Sequence, residues 1–107
     1  MAYTVIISQN AIEDISALGE YVAENDCPEN ADRLIDQLEE VIRSLSDFPE
    51  RGVRPKELVE LGRNEYREIH FKPYRIFYHL QDEQVTVLLI TDGRRDMRTL
   101  LQLRILS

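Results

Sequence analysis

The chain has 107 residues and a formal net charge of -7, with 43% hydrophobic and 31% charged residues, 4 Gly, 4 Pro and no Trp. A chain this short buries only about two-thirds of its unfolded surface and supports one core, so residues 1–107 are expected to form a single domain. No apolar run approaches the roughly 18 residues of a membrane span, Met1 to Asn10 lacks the basic start of a secretory signal, and Cys27 alone closes no internal disulfide and builds no cysteine-rich zinc site. The expectation is a cytoplasmic protein without membrane attachment, metal or cofactor.

The charge is unevenly spread. Residues 1–50 carry Arg33 and Arg43 against twelve Asp and Glu, a balance of -10, whereas residues 51–107 carry eleven Lys and Arg against eight acids, a balance of +3. The total therefore says less about partners than its halves do.

In chain order, Met1 to Ser8 reads as a short strand in which Tyr3, Val5 and Ile7 alternate. Asn10 with Glu13 makes a candidate capping box for a first helix, whose Ala11, Ile15, Leu18 and Val22 share a face and which should end near Asn25. Pro28 suits the first turn of a second helix with a regular stripe of Ala31, Leu34, Ile35, Leu38, Val41, Ile42 and Leu45, closed by Phe48 and Pro49. A short link makes the two helices an antiparallel hairpin with acids on its outer surface. Pro49 to Glu65, broken by Gly52, Pro55 and Gly62, reads as a loop with room for one helical turn. Tyr66–Phe71, Tyr74–Leu80 and Gln84–Thr91 then form an antiparallel meander, and Arg95 to Leu106 ends the chain as a short helix or tail. The fold class is α+β: an N-terminal strand and a helical hairpin packed on one face of a mainly antiparallel four-stranded sheet.

Tight turns imply the register. If Phe71 faces Tyr74 and Gln81 faces Gln84, one sheet face carries Ile69, Phe71, Ile76, Tyr78, Leu80, Val85, Val87 and Leu89, apolar enough to receive the hairpin. The other carries Tyr66, Glu68, His70, Arg75, Phe77, His79, Thr86, Leu88 and Ile90, and this mixture marks it as the face for chemistry or binding. His70 and His79 share it but lie about four strand rises apart, roughly 13 Å, too far to ligate one ion. Each is more simply a hydrogen-bonded surface residue than a catalytic one. Cys27, without a basic neighbour, reads as inert. Arg94, Arg95 and Arg98 put three guanidiniums within five residues. They form either a solvated charge run or an anchor for phosphate or carboxylate, and an acidic protein would serve as well as nucleic acid.

Together with this order of elements, the words Phe48-Pro49-Glu50-Arg51-Gly52, Tyr66-Arg67-Glu68-Ile69, Tyr74-Arg75-Ile76-Phe77-Tyr78 and Asp92-Gly93-Arg94-Arg95-Asp96 resemble the RelE/ParE superfamily of type II toxins over nearly the whole chain. The resemblance implies a small toxin of a plasmid-stabilisation or chromosomal module, held inactive in a hetero-oligomer by a cognate antitoxin. RelE-like members cut messenger RNA on the ribosome; ParE-like members inhibit DNA gyrase. Laid on this sequence, the RelE pattern of two Lys, two Arg and a Tyr falls on Tyr66, Glu68, Arg75, Arg95 and Leu101. Cleavage by a 2'-hydroxyl needs a base, an acid and cations for the phosphorane charge, and only the cations remain. The resemblance thus favours the ParE-like branch, a binding function with no catalytic residue and no binding of free nucleic acid. Its target-binding candidates are Arg75, Arg94, Arg95 and Arg98, and its antitoxin-binding candidates are Phe77, Leu88 and Ile90. The alternatives are an RNase using Arg75 and Arg95 with His70 or His79 as acid or base, and an inactive homologue retained as an antitoxin-binding module.

Overall fold

The computed structural model describes residues 2–106. Its elements are β1 (Thr4–Ile7), α1 (Gln9–Asn25), α2 (Pro28–Arg43), α3 (Lys56–Val59), β2 (Tyr66–Phe71), β3 (Tyr74–Gln81), β4 (Gln84–Asp92) and α4 (Met97–Leu101), with a 3-10 turn at Ser44–Ser46 and a π-type turn at Gln102–Leu106. The sheet order is β1-β4-β3-β2, with β1 parallel to β4 and the other pairs antiparallel. This is the expected α+β architecture. The Met1 end of the expected first strand lies outside the described residues.

Local chemistry sets the helix limits. Helix α1 begins ahead of the expected Asn10–Glu13 box, because Ser8 follows β1 with extended backbone and its Oγ accepts a hydrogen bond from Ala11 N at 3.1 Å. Pro28 opens α2 at a position where its missing N–H costs nothing. Leu34, Leu38 and Ile42 of α2 and Ala11 and Ile15 of α1 pack on Ile69, Ile76, Tyr78, Val85, Val87 and Ile90 of the sheet. Full burial of Leu38 or Ile42 contributes roughly 1.5–3 kcal/mol each. No helix among the described residues is long and apolar enough to cross a membrane.

The β2–β3 register is the expected one, from Phe71 opposite Tyr74 to Tyr66 opposite His79. The β3–β4 register is as expected from Gln81 and Gln84 up to Tyr78 opposite Val87, where it slips: Phe77 pairs with Leu89 and Ile76 with Ile90, leaving Leu88 as a bulge. One extra residue turns all later side chains over. Ile90 therefore lies in the hairpin core and Leu89 on the opposite face, reversing their expected places.

That opposite face is not left open. Leu58, Tyr66, Phe77, Leu89, Met97 and Leu101 form a second buried cluster, with Leu88, Leu100, Ile105 and Leu106 partly buried against it. The expected single layer of helices is thus joined by a thinner cover made from α3, α4 and the π-type turn.

The loop entering this cover is fixed from beneath. The Tyr78 hydroxyl donates to Pro49 O at 2.7 Å and accepts from Gly52 N at 3.0 Å. A Cβ on Gly52 would lie 2.5 Å from that hydroxyl and 2.8 Å from Glu68 O, so only glycine lets the backbone approach. Val53 and Glu68 then exchange backbone hydrogen bonds, covering part of the β2 edge.

Candidate functional site

Strand β3 places Arg75 on the second face, opposite His70 of β2. Its guanidinium is shared by two carboxylates: Nε and Nη2 donate to Glu68 Oε1 and Oε2 at 2.6 and 2.7 Å, and Nη1 and Nη2 donate to Glu57 Oε2 and Oε1 at 3.0 and 2.9 Å. It also lies over the Phe77 ring, 5.0 Å from the centroid. His70 Nε2 donates to Glu68 Oε1 at 2.8 Å. The hydrogen bond from Arg75 holds the Glu57 carboxyl below its usual range, against the opposing effect of burial. The two carboxylates keep the guanidinium charged and occupied. A doubly bridged arginine has no fork left for an incoming phosphate. Glu57, in the irregular segment, carried no sequence signal; it reaches Arg75 because α3 folds down onto the sheet.

The three C-terminal arginines behave differently from one another. Arg94 forms a two-point pair with Asp92, Nε to Oδ1 at 3.0 Å and Nη2 to Oδ2 at 2.6 Å, and this hydrogen bonding draws the Asp92 carboxyl down to about 2. Arg98 reaches Glu60 Oε2 at 2.8 Å across an exposed surface. The Arg95 side chain is exposed and makes no hydrogen bond or ion pair among the described residues. Arg94 and Arg95 border a mostly apolar pocket of about 480 Å³, to which α1 contributes Leu18 and Tyr21 and the β2–β3 turn contributes Pro73 and Tyr74. Arg75 does not reach it, so the four expected target contacts do not form one cluster.

The expected antitoxin contacts are covered by the chain itself: Phe77 lies in the second cluster, Ile90 in the hairpin core, and Leu88 is partly buried. His79 sits beside Tyr66, their rings 6.1 Å apart, and its buried Nδ1 has no hydrogen-bond partner among the described residues. Tyr66, Glu68 and Leu101 are buried as well.

Sequence reasoning also missed Asp14 and Arg104. Arg104 Nη1 and Nη2 donate to the two Asp14 oxygens at 3.0 and 2.9 Å, Nη2 also donates to Leu88 O at 3.1 Å, and Asp14 Oδ2 accepts from Ile90 N at 3.0 Å. β1 stops pairing at Val87, so these two side chains satisfy the open β4 edge beside the bulge. A single charge between Leu103 and Ile105 was the one available signal.

A family model described as the ParE toxin of type II toxin-antitoxin system, parDE, matches residues 5–97. The chain belongs to the ParE toxin family. Within that family it is 30% identical over 93 residues to Toxin ParE3 of Caulobacter vibrioides, a match covering 87% of this chain and 89% of the relative. The ParE fold is likewise similar to the chromosomal ParDE TA system from P. aeruginosa, with a TM-score of 0.73 at 17% identity over 85% of this chain and 96% of that one. It is similar too to the toxin-antitoxin complex RelBE2 from Mycobacterium tuberculosis, with a TM-score of 0.60, 19% identity and coverage of 86% and 92%. A free mutant of E. coli toxin RelE gives a TM-score of 0.61 at 19% identity, covering 92% of both chains. At these identities the solved structures speak for the fold. The ParE assignment agrees with the resemblance carried by the four sequence words.

Proposed function

We propose that this chain is the cytoplasmic toxin of a type II module, plasmid-stabilising or chromosomal, that arrests growth by binding DNA gyrase and is neutralised by a cognate antitoxin. One observation carries the choice of binding over RNA cleavage: Arg75, the cation a RelE-like site would present to phosphate, is fully committed to Glu57 and Glu68. Two carboxylates at that place repel a phosphodiester and supply no net cation for a phosphorane. The membership of the ParE family supports the same reading. In it, Arg94, Arg95 and Arg98 form the target-facing rim, with Arg95 the readiest contact.

Induced expression tests this. The expected outcome is filamentation with a DNA damage response and, with purified gyrase, inhibited supercoiling or accumulated cleaved DNA. Co-expression of the antitoxin should abolish both. Replacing Arg94, Arg95 and Arg98 with Ala should remove toxicity while leaving the circular dichroism unchanged. Rapid translational arrest with cuts in ribosome-bound messenger would instead assign the RNase activity, with His70 beside Glu68 as its proton-transfer pair. No growth defect at all would leave the chain as an antitoxin-binding module.

A further inference from the structure

The pocket between α1, the β2–β3 turn and the chain after β4 combines features that the toxin fold does not require. Tyr21 is 66% exposed although its ring borders an apolar hollow, and Leu18 and Tyr74 present further apolar surface to the same space. The volume of about 480 Å³ falls within the range of roughly 300–1,000 Å³ typical of ligand sites. Burial and the nearby Asp92 push the Tyr74 phenol above its usual range, so its hydroxyl is a hydrogen-bond donor at neutral pH.

The charges at the rim select the occupant. Arg94 and Asp92 neutralise each other through their two-point pair, leaving Arg95 as the guanidinium on the rim without a carboxylate partner among the described residues. A nucleic acid would need several uncommitted cations to displace its counterions. Among the residues lining this pocket it would find one. One free guanidinium over an apolar hollow walled by tyrosines instead matches one carboxylate adjoining one bulky apolar side chain.

We propose that this pocket is a peptide-binding subsite that takes a bulky apolar side chain of a protein partner, with an adjacent Asp or Glu carboxylate held by Arg95. The apolar side chain enters against Leu18 and the Tyr74 ring, Tyr21 closes over it, and the carboxylate accepts from the Arg95 fork. The inference rests on the reading that this toxin works by binding protein. It concerns a site distinct from the buried Arg75 network.

The test uses the full chain labelled with 15N and a blocked hexapeptide carrying Phe flanked by Glu. Saturable shifts confined to Tyr21, Tyr74 and Gly93–Arg95, including the Arg95 side-chain Nε, are expected. Binding should weaken at least about tenfold on Arg95→Gln or on changing the peptide's Glu to Gln, and again on Tyr21→Ala or on replacing the peptide's Phe with Ala. Arg95 and Tyr21 are exposed, so these variants leave the fold intact, which an unchanged spectrum elsewhere verifies. Shifts scattered over the surface, equal binding of a Lys-flanked peptide, or stronger occupation of the same residues by oligo-dT overturns the assignment. Toxicity is read separately: a toxic chain that ignores the peptide overturns the pocket alone, and a chain that binds the peptide but spares gyrase supports the pocket and removes the gyrase reading.

Discussion

The two faces of the sheet are closed by different proportions of apolar packing and charge pairing. On the hairpin face, two helices with regular apolar stripes bury Leu38, Ile42, Ile76, Tyr78 and Val87 in a continuous core. On the other face, the short helices α3 and α4 and a π-type turn cover a smaller apolar cluster around Leu58, Phe77, Leu89, Met97 and Leu101, and the largely buried pairs Glu57 to Arg75 and Asp14 to Arg104 add to its closure. The first closure is non-directional and tolerates changes of shape. The second depends in addition on its largely buried pairs, because a buried charge that loses its counterion leaves an uncompensated desolvation cost.

Substitution at Arg75 breaks the contrast most strongly. Arg75→Ala leaves the partly buried Glu57 without its partner and the buried Glu68 with His70 alone, and should cost about 3–5 kcal/mol in urea unfolding, while Arg75→Met combined with Glu57→Gln and Glu68→Gln should recover much of it. Leu38→Ala on the hairpin face should cost about 2–5 kcal/mol through its cavity, with no polar substitution able to rescue it. If the triple variant is no more stable than Arg75→Ala, the clamp is not electrostatic.

A smaller effect is expected at the edge of the second face. Asp14→Ala frees Ile90 N and strands Arg104, for about 1–3 kcal/mol. Faster hydrogen exchange at the Ile90 amide and in Gln102–Leu106 should appear before any change in the α2 amides. Uniform acceleration would show that the two closures unfold as one unit.

Acid should separate the faces further. The Glu57 pKa is depressed in the fold below its ordinary 4.5. Its contribution to stability is therefore complete above that value and is lost as pH falls through the depressed one. Asp92, ordinarily 3.8 and drawn to about 2, follows the same sign in a lower window. Stability should fall as pH drops below about 4.5, with exchange rising first in α3. The same triple variant, in which the clamp carries no ionisable group, should show a flatter profile, and an equally steep one would remove Glu57 as the cause.

The β3–β4 turn offers the smallest change and a control common to both faces. Asp82 and Glu83 have φ of 51° and 63°, the left-handed pair of a type I′ turn that favours Asn-Gly. Glu83→Gly should raise stability by about 0.5–1 kcal/mol, shifting both faces together in exchange experiments.

How far the sequence reached can be followed in the same residues. Helical periodicity identified the stripe from Ala31 to Leu45 because its burial repeats with the helix itself, and short turns set the β2–β3 register by counting alone. The bulge at Leu88 escaped that count, since nothing in the run Val85 to Ile90 distinguishes an inserted residue from the next in alternation. The backbone groups beside it are satisfied by Asp14 and Arg104, distant in sequence from each other. The same limit applied at the candidate site: Arg75, Arg94, Arg95 and Arg98 read alike as cations, and only their neighbours in space separated three guanidiniums paired with carboxylates from Arg95, which has no such pair among the described residues.

By itself, then, the sequence determined the class of fold, the hairpin on its sheet and the ParE family, because periodicity, turn chemistry and the order of short words are local or linear properties. Tertiary structure alone decided which charges are spent on holding the second face closed and which remain for a partner, because an arginine's availability depends on the carboxylates that folding brings within hydrogen-bonding distance.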